Sequence, residues 1–115
     1  MDSACLFCRI GAREIPAEIV RESDRIVAFR DVDPKAPTHV LLIPKEHIAS
    51  VAELGDDHGD VLVDIVQAAS QLARADGIAE SGWRLVTNVG PDAGQSVFHL
   101  HFHLLGGREM GWPPG

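Results

Sequence analysis

Residues 98–107, FHLHFHLLGG, place His99, His101 and His103 at every second position, with Leu100, Phe102 and Leu104 between them. Alternation with a period of two is the mark of a half-buried β-strand. It predicts one apolar row facing a core and three imidazoles on the opposite face, spaced by about 6.6 Å. Imidazole titrates near neutral pH, so each ring can accept a proton, donate one or act as a nucleophile. Taken alone, such a row is more often a polar solvent face or a metal-binding stripe. Its neighbours decide between those readings.

Immediately before the histidines runs the loop 88–96, NVGPDAGQS. Glycines let main-chain N–H groups approach an oxyanion, and the Ser96 hydroxyl adds a rotatable donor. Turn chemistry alone accounts for Gly and Pro in such a loop. Beside three histidines, the same residues suggest a phosphate cradle next to a nucleophile.

Further out, residues 17–21 and 25–30 read as two short strands separated by the turn-forming Glu22, Ser23 and Asp24. A loop follows at 31–37, enforced by Pro34 and Pro37. Residues 39–43 form an apolar strand that Pro44 stops. Asp56 or Asp57 can cap a helix whose apolar positions Val61, Leu62, Ile65, Val66, Ala69, Leu72 and Ala73 keep helical spacing. Gly77 terminates it. Residues 83–89 give a fourth strand and the histidine stretch a fifth. Strands joined by short turns, with one long helix over a face, predict an α+β domain on an antiparallel sheet.

The chain has 115 residues, 45% of them hydrophobic and 23% charged, which fits one domain spanning residues 1–115 with one core. There is no apolar run of membrane-spanning length, and MDSACLFCRI lacks the basic and apolar regions of a secretory signal. A formal net charge of −7 argues against general binding to nucleic acid or an anionic membrane. A phosphate-bearing ligand must then be held by a local site acting against the overall field. Cys5 and Cys8 could close only a tiny loop, so cytoplasm is the expected compartment. The spacing Cys5-x-x-Cys8 supplies half of a zinc site, or simply a pair of reduced thiols. His58, in the first turn of the expected helix, reads as solvated.

His99-Leu100-His101-Phe102-His103-Leu104-Leu105 resembles the signature of the histidine triad (HIT) family, three histidines alternating with apolar residues and followed by two apolar ones. The likeness covers almost the whole chain. FRDVDPKAPTHVLLIPKEHI, NVGPDAGQSVFH and GGREMGWPPG resemble the Hint branch, the purine nucleoside phosphoramidases. The resemblance implies a HIT-like fold: a five-stranded antiparallel sheet with one long and one short helix, the sheet extended across a homodimer. It implies cleavage of purine nucleoside 5′-phosphoramidates at the α-phosphate through a nucleotidyl-histidine intermediate.

By position, the resemblance makes His101 the nucleophile and gives His103 and Ser96 contacts to phosphate and leaving group, with acid assistance to the amine. His99 completes the triad, and His39 supports its hydrogen-bond network. Asn88, Gly94, Gln95 and Ser96 match phosphate-side positions. Asp31, with Val32, matches the ribose site, and Ile15 and Phe29 match the apolar positions around a purine. Without the family frame, Ile15 and Phe29 read as core. In bacterial relatives with the N-terminal CxxC, a structural zinc is completed by two histidines, which here are His47 and His99. The expected partners are AMP or GMP and their phosphoramidates.

In the tail, residues 106–115, Trp112 is flanked by Gly111, Pro113 and Pro114 and cannot belong to regular structure. In the Hint branch such tails reach a dimer partner's site, often with a histidine where this chain has Gly111. Two other readings stay open: a dinucleoside polyphosphate hydrolase, as in the Fhit branch, and a nucleotide-binding adaptor with vestigial turnover.

Overall fold

The computed structural model of the chain describes residues 4–115, so the first three residues of the segment 1–10 lie outside it. A short helix α1 (Leu6–Gly11) precedes β1 (Ile19–Glu22), β2 (Ile26–Arg30) and β3 (Thr38–Pro44). The long helix α2 (Gly59–Ala75) follows, then β4 (Trp83–Thr87) and β5 (Phe102–Gly106). The five strands form one antiparallel sheet in the order β1-β2-β3-β5-β4. The expected α+β class, a five-stranded antiparallel sheet with one long and one short helix, is therefore the one observed, and the last strand in sequence sits between β3 and β4. Among the described residues no helix is long and apolar enough to cross a membrane.

One face of the sheet lies on α2. Ile26, Ala28, Val40, Leu42, Leu100, Phe102 and Leu104 meet Val61, Ile65, Ala68, Ala69 and Leu72 of the helix in one apolar cluster. The helix buries Val61, Ile65, Ala69, Leu72 and Ala73 of the predicted stripe, together with Ala68, whereas Leu62 is half-buried and Val66, also expected in the stripe, stays exposed. The other face carries a smaller cluster, in which Phe7 and Ile10 of α1 pack on Val27, Phe29, Leu41 and Ile43.

Several boundaries differ from the sequence reading. β1 begins at Ile19 rather than residue 17, and β4 ends at Thr87 rather than residue 89. Pro44 closes β3 from inside the strand, and Lys45 N–H then bonds Arg25 O at 2.8 Å. Before α2, residues 56–58 make a 3-10 turn in which neither Asp56 nor Asp57 caps the helix with its side chain. Instead Gly55 N–H donates to His58 Nδ1 at 3.0 Å, so His58 closes that turn rather than merely facing solvent. Gly77 does follow the helix, with φ of 76°.

The largest difference concerns the histidines. Regular pairing starts only at Phe102, so His99 and His101 precede β5. The reason is competition for the main chain. Leu100 N–H bonds Ile48 O at 2.6 Å, the Thr87 hydroxyl donates to His101 O at 2.8 Å, and the His101 ring bonds His99 O. Nor is the histidine side a solvent face, because His99 is fully buried and His101 is 7% exposed.

Candidate active site

Hydrogen-bond partners fix the tautomers of the site's imidazoles, since a carbonyl only accepts and a main-chain N–H only donates. His101 Nδ1–H donates to His99 O at 2.7 Å, which leaves the Nε2 lone pair available. Lys35 N–H donates to His39 Nδ1 at 3.0 Å, so the His39 proton sits on Nε2. That proton is given to His103 Nδ1 at 2.9 Å, and His103 keeps its own on Nε2. The His101 and His103 rings lie side by side, 5.1 Å between centroids. One therefore offers a base and the other a donor. Burial, followed by the charges of His101 and His39, pushes His103 down to about 4, and burial also lowers His39. Both rings are neutral at pH 7.

These rings end a cleft of about 360 Å³. Much of its lining is apolar: Leu6, Phe7 and Ile10 from α1, with Ile15, Phe29 and Val97. Ser96, His101 and His103 form the polar end, and Asp31 and Val32 lie along the rim. Asp31 Oδ1 accepts the Asp33 N–H at 2.8 Å and Oδ2 lies 3.4 Å from His39 Nε2. Val32 is 99% exposed, so it forms an edge and not a buried wall. The cleft therefore combines apolar side chains with one carboxylate, one hydroxyl and two imidazoles.

Ser96 joins the cleft, whereas the Gly94 and Gln95 main chain and the Gln95 side chain bond within the loop and its neighbours. Gly94 N–H and Gln95 N–H bond Pro91 O and Gly90 O, each at 3.0 Å. The Gln95 side chain, 6% exposed, donates to Ala49 O and Val97 O and accepts from Gly90 N–H at 2.9 Å. Gly90 and Gly94 both hold positive φ, 81° and 87°, which is why glycine occurs there. Gln95 and the two glycines thus shape the loop that presents Ser96. Asn88, Gly94 and Gln95 are absent from the lining of the cleft.

Asp31 and His39 are joined by Asp31 N–H donating to His39 O at 3.0 Å. Behind them, on the α2 face, Asp76 at the end of α2 accepts from Arg30 at 2.6 and 3.0 Å and from the Thr38 hydroxyl at 2.8 Å. Arg30 holds the Asp76 carboxyl below the usual range. Arg30 and Thr38 directly precede Asp31 and His39, so the helix end clamps the strand ends that carry them.

Cys5, Cys8, His47 and His99 converge, their ligand atoms all within 4.8 Å of one another. Cys5 Sγ and Cys8 Sγ stand 3.3 and 3.5 Å from His99 Nδ1, and Cys8 Sγ is 3.2 Å from His47 Nδ1. Tetrahedral zinc with two thiolates and two imidazoles has ligand–ligand edges of roughly 3.5 Å. The protonation pattern fits too: His99 Nε2–H donates to Pro44 O at 2.8 Å, so its Nδ1 lone pair faces the sulfurs. The four residues therefore suit zinc in a closed, structural site.

The sequence reading missed Phe7. Its ring meets His101 edge-on at 5.0 Å, His99 at 6.1 Å and Phe29 at 5.6 Å. Its place between two cysteines was the signal, since ligands at both ends of a short segment fix what lies between them.

A family model described as HIT domain matches residues 12–110. A crystal structure of a HIT family hydrolase from Legionella pneumophila Philadelphia 1 is 54% identical, covers 96% of this chain and 99% of its own, and superposes with a TM-score of 0.94. The purine nucleoside phosphoramidase of Escherichia coli (strain K12) is 43% identical over 96% of this chain and 93% of its own length. A 14 kDa zinc-binding protein of Zea mays is 44% identical over 99% of this chain and 90% of its own. With these matches across nearly its full length, the chain belongs to the HIT domain family.

Proposed function

We propose that this HIT-family hydrolase cleaves the P–N bond of purine nucleoside 5′-phosphoramidates, releasing AMP or GMP through a nucleotidyl-His101 intermediate. The observation that carries this reading is the opposed protonation of His101 and His103 at the phosphate end of the cleft. His101 Nε2 holds a lone pair because its Nδ1–H is spent on His99 O. His103 presents Nε2–H because His39 occupies its Nδ1. An imidazole nitrogen with its lone pair free in this way is a competent nucleophile.

The purine enters between Phe29, Ile15 and the α1 side chains, and Asp31 accepts from the ribose hydroxyls. His101 Nε2 attacks the α-phosphorus, and the P–N bond breaks as the new N–P bond forms. The departing amine takes up one proton from solvent, at the edge where the Ser96 hydroxyl and His103 Nε2–H donate hydrogen bonds to the phosphate and the leaving nitrogen. Water then cleaves the nucleotidyl-histidine and restores that proton, so the sum is phosphoramidate plus water giving amine plus nucleoside monophosphate.

Zinc held by Cys5, Cys8, His47 and His99 would supply rigidity at the base of the site and takes no part in the bond changes. We read residues 1–115 as one such domain working in the cytoplasm, where the two cysteines stay reduced. Trp112, 84% exposed on a tail that Arg84 ties down at Gly111 O by a 2.9 Å bond, suits docking on a second copy of the chain in a homodimer.

Incubation with an adenosine phosphoramidate labelled in its phosphate tests the reaction. The expected result is AMP release with label trapped on His101 after rapid denaturation. Turnover with no labelled histidine would overturn the covalent route.

A further inference from the structure

The metal-suited residues and the cleft share more than a neighbourhood. Cys5 precedes α1 and Cys8 lies within it, with Leu6 and Phe7 between them and Ile10 two residues on. Leu6, Phe7 and Ile10 are the α1 side of the purine wall. The helix has only six residues, and a helix this short does not persist without anchors. Its anchors are the two sulfurs at His99 and His47 and the burial of Phe7 and Ile10.

A second route runs through His99 itself. Its ring Nδ1 faces the sulfurs, its Nε2–H donates to Pro44 O, and its main-chain oxygen accepts the His101 Nδ1–H. The residue that meets the sulfurs is thus the residue that orients the nucleophile. Leu100 N–H to Ile48 O, at 2.6 Å, ties together the segments one residue beyond His47 and His99. Phe7 closes the circuit with its edge-on contact to the His101 ring at 5.0 Å.

We propose that Cys5, Cys8, His47 and His99 act as positioning residues for nucleotide binding: the metal they hold sets the affinity of the cleft and the pose of His101 through Phe7 and through His99 O. This rests on reading the cleft as a nucleotide site. Coupling between two ligands is reciprocal, so a bound nucleotide must raise the equilibrium affinity for the metal by the same factor as the metal raises the affinity for nucleotide. A scaffold-only site would carry stability without this linkage.

The test uses the full chain loaded with zinc, or with cobalt as a spectroscopic substitute, and AMP as the probe. Removing the metal with a chelator, under conditions where circular dichroism shows α2 and the sheet retained, is expected to weaken AMP binding by about tenfold, within the usual range of coupling. AMP is also expected to raise the chelator concentration needed to remove half of the zinc at equilibrium, and to shift the thiolate-to-cobalt absorption bands. Should the metal-free chain unfold, the cobalt spectrum and the zinc affinity measured against the chelator decide alone. Equal AMP affinity with and without metal, or unchanged cobalt bands and zinc affinity at saturating AMP, would overturn the coupling while leaving the nucleotide reading standing. Failure of every form to bind AMP would overturn both.

Discussion

On one face of the sheet, Ile26, Ala28, Val40, Leu42, Leu100 and Leu104 meet α2 through hydrocarbon alone. On the other, Phe7, Phe29 and Leu41 share their layer with His39, His99, His101 and His103. The same strands supply both, because successive side chains point to opposite faces. The α2 face needs no hydrogen-bond partners in its interior. Every ring nitrogen named on the opposite face needs one, or is left open for chemistry. Stability and reactivity are thereby separated across the thickness of a single sheet, and they meet where Asp76 reaches Arg30 and Thr38 from the helix side.

If that separation is real, mutations on the two faces must fail differently. His101→Asn keeps much of the volume and loses the nucleophile. It should reduce AMP release by roughly 10³-fold or more, as for other nucleophile losses, and leave AMP affinity within a few-fold in a calorimetric titration. Leu42→Ala, at a fully buried position on the α2 face, should cost about 2–5 kcal/mol of unfolding free energy in a denaturant titration. The folded fraction of that variant should still turn over normally.

The third expectation concerns pH. In the unfolded chain His103 takes up a proton below about 6.5, whereas in the folded chain it stays neutral down to about 4. Between those values the unfolded state binds more protons, so stability falls as pH falls through that window. Above 6.5 the group contributes no pH dependence. His103→Gln should flatten that slope in denaturant titrations at pH 7, 6 and 5, and Leu42→Ala should leave it unchanged. The smallest effect is expected at the solvent rim, where Arg25 pairs with Asp64 at 3.0 Å and Asp60 at 3.5 Å. Exposed pairs of this kind contribute little. Arg25→Ala should move neither the melting temperature nor the rate of AMP release beyond error.

The sheet, the long helix and the convergence of Cys5, Cys8, His47 and His99 were legible from alternation, helical spacing and the family likeness. The start of β5 was not. The pattern His99-Leu100-His101 alternates as well as the strand does, but its main chain bonds Ile48, Thr87 and a ring nitrogen instead of a ladder. Side-chain competition of that sort depends on residues far apart in sequence. The cap at His58 was hidden for a related reason, since Asp56 and Asp57 look like better caps until Gly55 N–H is seen to choose the imidazole. The family likeness put Gln95 on the phosphate side, while its side-chain amide bonds Gly90, Ala49 and Val97. Only a bonding pattern in three dimensions shows which polar groups have nothing left to give.

The placement of β5 between β3 and β4 has a bearing on biosynthesis. A growing chain can pair β1, β2 and β3 as neighbours in sequence, but β4 has no partner until residues 102–106 have been made. Until then Leu42, Val40 and Leu85 lack the cover that Phe102 and Leu104 provide, and long-range pairing of this kind is slow to form. The residues that complete the sheet adjoin His99 and His101 and include His103 itself. A nascent or truncated chain therefore has neither a closed sheet nor a reactive imidazole pair, and it acquires both in the same event.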